Sequence, residues 1–76
     1  MNKVRRIALS AIMERLEEIK ADLEAVAEAE EEAFNNIPES LEGTDRYEAA
    51  SAAVDNLQEA VSYIEEVLDY IEEAKA

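Results

Sequence analysis

The only proline and the only glycine of this 76-residue chain fall in one stretch, Asn35-Asn36-Ile37-Pro38-Glu39-Ser40-Leu41-Glu42-Gly43-Thr44. Proline removes a backbone donor and glycine frees the backbone, so this is where a helix must stop. On either side, apolar residues recur at alternating spacings of three and four with no breaker among them. The predicted fold is therefore all-α: an antiparallel two-helix hairpin of coiled-coil type, one domain over 1–76. Its first helix is expected over about 3–34, a loop with a short turn over 35–44, and a second helix over about 45–75.

In the first helix the seam reads Leu9, Ile12, Leu16, Ile19, Leu23, Val26, Glu30 and Ala33. In the second it reads Tyr47, Ala50, Val54, Leu57, Val61, Ile64, Leu68 and Ile71. Folding back at the loop sets Leu9 opposite Ile71, Ile12 opposite Leu68, Leu16 opposite Ile64 and Ile19 opposite Val61. It continues with Leu23 and Leu57, Val26 and Val54, Glu30 and Ala50, then Ala33 and Tyr47. Glu30 is the one charge on this seam. It either reaches water at the end of the bundle or acts as a polar device that fixes register.

Asn2 is the expected N-cap of the first helix. Lys3, Arg5 and Arg6 then stand at the positive end of the helix dipole, and Glu30, Glu31 and Glu32 at the negative end. Each placement costs roughly 0.3–1 kcal/mol at most. Compensation is expected from the second helix, where Asp69, Glu72 and Glu73 come beside the basic turn. Each exposed pair is worth roughly 0–1 kcal/mol, enough to choose an orientation.

The loop has its own signals. Asn35 and Asn36 suit a helix end because asparagine tolerates left-handed backbone. Pro38 opens a short turn to Leu41, Gly43 ends it, and Thr44 caps the second helix with Asp45 in the favourable first turn. Ile37 and Leu41 are expected to close the bundle against Phe34 and Tyr47, making Ile37, Pro38, Leu41, Gly43 and Tyr47 a hairpin cap. Arg46 is expected to pair with Glu42 or with the end of the first helix. The run Ile37-Pro38-Glu39-Ser40-Leu41-Glu42-Gly43-Thr44-Asp45-Arg46-Tyr47-Glu48 resembles the linker of a group of small acidic proteins of phages and prophages of low-GC Gram-positive bacteria. The similarity extends over about Ile12 to Ile71. It implies a phage accessory gene and transfers no functional residues.

Charge bounds the partners. The chain carries 20 acidic and 7 basic side chains, a net of −13. Residues 1–20 hold five basic and three acidic ones, and the remaining residues two basic and 17 acidic. Such a surface repels nucleic acid, which needs Lys and Arg clusters, and favours basic proteins. There is no cysteine and no histidine, so neither disulfides nor the usual nucleophile, base and metal-ligand sets are available. Glu30-Glu31-Glu32 lacks the glycine turn and alternating oxygen ligands of a calcium loop, and no glycine-rich phosphate loop occurs. Neither enzymatic activity, cofactor, metal nor small-molecule substrate is expected. Nothing approaches the ~20 apolar residues of a membrane span, and a cytoplasmic protein is expected.

Two surfaces remain on the second helix. Ala53, Ala60, Val67 and Ala74, spaced by sevens and flanked by Tyr63 and Tyr70, widen the apolar arc beyond what one opposing helix covers. A homodimer forming a four-helix bundle, or a partner protein, is expected there. Asp45, Glu48, Asp55, Glu59, Glu66, Asp69 and Glu73 form an acidic ridge. Carboxylates three and four residues apart lie ~5–6 Å apart on a helix, which approaches the phosphate spacing of a nucleic-acid strand. The expected function is a non-enzymatic protein–protein interaction module, phage-encoded, that binds and inhibits a basic host defence protein such as a CRISPR effector, in part as a DNA mimic. The alternatives are a structural hairpin that acts by homo-oligomerising and a membrane-surface anchor through Lys3, Arg5, Arg6 and Ile7.

Overall fold

Asn2 starts the first helix as its composition suggests: the Asn2 Oδ1 accepts the backbone N–H of Arg5 at 2.9 Å. In the computed structural model, which describes residues 1–76, α1 runs Lys3–Asn35 and α2 runs Asp45–Lys75, joined through a 3-10 turn at Glu39–Leu41. Both helices are long because no interior residue breaks them. They lie antiparallel, in a rod 59 × 15 × 13 Å with a Cα radius of gyration of 17.4 Å. A compact chain of this length would have a radius near 11 Å. The hairpin is thus drawn out, with one helix as the only cover for the other.

The connection departs from expectation at one point. Asn36 ends α1 with φ −91° and ψ 0°, not in the left-handed region, and its N–H donates back to Glu32 at 3.1 Å and Ala33 at 3.3 Å. The helix ends without a left-handed residue: the Ile37 N–H bonds back to the Phe34 carbonyl at 3.1 Å, and Pro38 follows in extended geometry at φ −60° and ψ 144°. The one positive φ is at Gly43, +81°, where the chain turns into α2. Thr44 then works in both directions. Its hydroxyl donates to the Leu41 carbonyl at 2.6 Å, and its Oγ accepts the Tyr47 N–H at 3.3 Å. Phe34 and Tyr47 close this end with ring centroids 4.9 Å apart. Ile37 is half-buried beside them, whereas Leu41 is exposed and contributes more through its carbonyl than its side chain.

The seam of α2 is the expected one, and that of α1 is not. Val54 and Leu68 are buried, with Tyr47, Ala50, Leu57, Val61, Ile64 and Ile71 half-buried. On α1 the covered residues are Leu9, Met13, Leu16, Lys20, Leu23, Ala27 and Phe34, with Ser10 at the flank. Ile12, Ile19 and Val26 are 40, 53 and 54 % exposed, and Ala33 is exposed as well. The Leu9, Leu16 and Leu23 row holds, but its companion row lies one residue further along than hydrophobicity alone predicts.

The cap explains why. Phe34, not Ala33, stacks on Tyr47, and stepping back by sevens brings Ala27 level with Val54, Lys20 with Val61 and Met13 with Leu68. Ala27 and Val54 are two of the three buried residues, at 8 and 7 % exposed; Leu68, at 6 %, is the third. A small residue at Ala27 lets the helices approach closely, which the larger Val26 would prevent. Glu30 is exposed and makes no ion pair or side-chain hydrogen bond across the seam. The polar seam residue that does is Lys20, whose Nζ lies 3.5 Å from Glu65 on α2 and 3.8 Å from Glu24. Its aliphatic stem covers the seam while the ammonium reaches the rim.

The basic first turn is not compensated as expected. The chain's three ion pairs use Lys20 and Lys75 alone, so Lys3, Arg5, Arg6 and Arg46 have no carboxylate partner. Geometry accounts for this. Asp69 and Glu73 project from the side of α2 that faces away from α1, and Glu72 is held by Lys75 at 3.7 Å.

Candidate functional site: two faces and a ridge

A two-helix hairpin has two broad faces, one on each side of the seam, and here they differ in chemistry. The polar contacts between the helices define one of them. Lys20 meets Glu65, Gln58 donates to Glu31 at 3.3 Å, and Lys75 donates to the Ser10 Oγ at 3.0 Å. By heptad spacing this face carries Ser10, Glu17, Glu24 and Glu31 from α1, with Ser51, Gln58, Glu65 and Glu72 from α2. A shallow groove runs along it, lined by Glu24, Glu28, Glu31, Gln58 and Glu65 over an Ala27 and Val61 floor.

The opposite face is built from the other flank of each seam. From α1 it takes the row Arg5, Ile12, Ile19, Val26 and Ala33. From α2 it takes Arg46, Ala53, Ala60, Val67 and Ala74. Neither row contains an acidic residue, in a chain with 20 of them. Each begins with an arginine that is free of ion pairing. Ala53 and Ala60 are half-buried against α1, while Val67 is 45 % exposed and Ala74 is exposed. Tyr63 and Tyr70 stand exposed at its α2 rim, and Arg15 and Asp22 at its α1 rim. The stripe read on α2 is thus half of a larger apolar surface. Its α1 half is masked in the sequence because Ile12, Ile19 and Val26 also satisfy the three-four spacing of a seam. One signal was available: Arg5 and Arg46 each open a seven-residue register that runs to the end of its helix without a carboxylate.

The ridge residues Asp45, Glu48, Asp55, Glu59, Glu66, Asp69 and Glu73 are all exposed and lie along the back of α2, away from α1. None takes part in an ion pair or a side-chain hydrogen bond. No group of three Asp or Glu residues converges to hold a metal ion. No helix is long and apolar enough to cross a membrane. Val4 and Ile7 are exposed among Lys3, Arg5 and Arg6 at the far end of α1. Compared with known proteins, the chain matches no family model, no curated protein and no solved structure, so the linker resemblance rests on its own residues.

Proposed function

We propose that this protein is a non-enzymatic protein–protein interaction module that sets its outward acidic ridge against a basic surface of another protein. One observation carries the reading: seven carboxylates along the back of α2 are exposed and none makes an ion pair or a side-chain hydrogen bond within the chain. They repel one another at helical spacing, a cost of a few tenths of a kcal/mol per adjacent pair. A cationic groove that normally receives phosphates would relieve that repulsion and gain in association rate by steering. The resemblance of the linker to phage proteins directs the search to host defence proteins with nucleic-acid-binding grooves, nucleases and CRISPR effectors among them, in the host cytoplasm.

The test is affinity capture from host-cell lysate with the wild-type chain and with a variant carrying Asp55→Lys, Glu59→Lys, Glu66→Lys and Asp69→Lys. The expected result is a basic, nucleic-acid-binding protein recovered by the wild type, displaced by added DNA and lost with the variant. Recovery of the same proteins by both chains would rule out the ridge as the binding surface.

A further inference from the structure

The carboxylate-free face calls for an occupant of different chemistry from the ridge's, and this step is independent of the ridge reading. We infer that it is the interface with a second copy of the chain, packed face to face across a two-fold axis at the level of Ile19, with the two hairpins pointing in opposite directions.

Area argues first. The hairpin exposes 5734 Å², whereas a compact monomer of 8.5 kDa exposes about 4,650 Å². The excess, about 1,100 Å², is more than the roughly 800 Å² that each partner gives to a standard stable interface. Within that exposed surface Ile12, Ile19, Val26 and Val67 share this one face, while Val4 and Ile7 lie outside it at the start of α1.

Charge argues next. Two chains of net −13 approach each other most readily through the one face that carries no carboxylate. Charge also selects the orientation. The loop half of the rod, residues 20–61, holds 12 acidic and two basic side chains, and the open half holds eight acidic and five basic. Loop beside loop would stack the two most negative halves. The reversed arrangement sets each −10 half against a −3 half and spreads the repulsion evenly.

The pattern of residues fits the same arrangement. Ile19 stands midway along α1, Lys3–Asn35. A two-fold axis there puts Ile19 on Ile19 of the second copy, and Ile12 on its Val26. At the α1 rim, Arg15 comes level with Asp22 of the second copy, and the symmetry makes that pair twice. Along α2, Tyr63 settles over the second copy's Ala60 and Tyr70 over its Ala53, large side chains against small ones. This gives a purpose to the seven-residue spacing of both tyrosines and both alanines. Arg5 reaches toward the acidic end of the partner α1, and Arg46 toward the end of the partner α2. The product is a four-helix bundle in which α1 packs on α1 and α2 on α2, with both acidic ridges exposed along its α2 side.

Sedimentation velocity of the full chain across the micromolar range tests the inference. A dimer of twice the chain mass is expected, and a monomer at high micromolar concentration overturns it. Arg15→Glu is expected to raise the dimer Kd by roughly tenfold or more, because two like-charge contacts replace two attractive ones. Adding Asp22→Arg to the same chain should restore it, and a double variant as weak as the single one refutes the pairing. Ile19→Cys is expected to give an interchain disulfide on mild oxidation with the helical content unchanged. A dimer in which Ile19→Cys fails to cross-link overturns the arrangement. None of these residues lies on the ridge, so failure here and failure of lysate capture are separate results.

Discussion

Val26 and Ala27 are neighbours, and a pair of substitutions there decides which row of α1 faces α2. Ala27 is 8 % exposed and level with Val54, which is 7 % exposed. In Ala27→Leu three carbon atoms enter a position that the opposing helix covers at Val54 and that opens only toward the shallow groove over Ala27 and Val61. Were there room, each added methylene would stabilise by about 0.8 kcal/mol. With no room the helices must part, and overpacking costs about 1–3 kcal/mol. A chain of this length has a stability of about 4–11 kcal/mol, and three buried residues place this hairpin toward the low end. One kcal/mol moves the midpoint of so small a domain by about 4–8 °C, so Ala27→Leu, at the middle of that range (about 2 kcal/mol), should lower Tm by about 8–16 °C. Val26 is 54 % exposed, so Val26→Ala forgoes about half of two methylenes, roughly 0.8 kcal/mol. The better helix propensity of alanine offsets about half of that. The assay is thermal and urea unfolding followed by far-UV circular dichroism, at concentrations low enough to keep copies apart. If Val26→Ala proves the costlier change and Ala27→Leu is neutral or stabilising, the α1 seam is the one hydrophobicity suggests, with Val26 and not Ala27 facing α2.

The remaining predictions concern the loop and Lys20. Gly43→Ala should cost about 1–2 kcal/mol although a Cβ meets nothing within 4 Å, because φ is +81° and the penalty is the backbone's own; an unchanged Tm would contradict that backbone reading. Thr44→Ala removes the acceptor for the Tyr47 N–H and the donor to the Leu41 carbonyl, an expected loss of about 1 kcal/mol; Thr44→Ser should recover most of it in the same melt. Replacing Pro38-Glu39-Ser40-Leu41 with glycine and serine should lower Tm, and unchanged stability with lost partner capture would make the loop a binding tip and not a cap. Lys20→Met keeps the stem that covers the seam and gives up ion pairs at 3.5 and 3.8 Å worth roughly 0–1 kcal/mol; the hairpin should be equally or more stable, and a large loss would mean that the Lys20 pair holds the helices in register.

Much of the architecture could be read from a few residues. Pro38 and Gly43 mark the reversal, Asn2 and Thr44 start the helices, and Val54, Leu57, Val61, Ile64 and Leu68 give the inner row of α2. These signals are local: each depends on backbone sterics or on one helix's own periodicity. The α1 seam was not legible in the same way, because Leu9, Leu16 and Leu23 have apolar neighbours on one flank and Met13, Ala27 and Phe34 on the other. Hydrophobicity ranks Ile12, Ile19 and Val26 above that second set. The carboxylate-free face was therefore half hidden, its α1 portion counted as core.

What the amino-acid order determined alone is an all-α hairpin, its ends, its turn and the placement of an acidic back on α2. The tertiary structure decided which of two candidate rows on α1 meets the second helix. Phe34 stacks on Tyr47 and Ala27 takes the close contact with Val54, and seven-residue stepping carries that choice along the whole helix. The physical reason is that a seam selects for shape as well as for hydrophobicity. The alanine that lets two backbones approach goes inside, and the isoleucines and valine that would hold them apart are turned to the face left open.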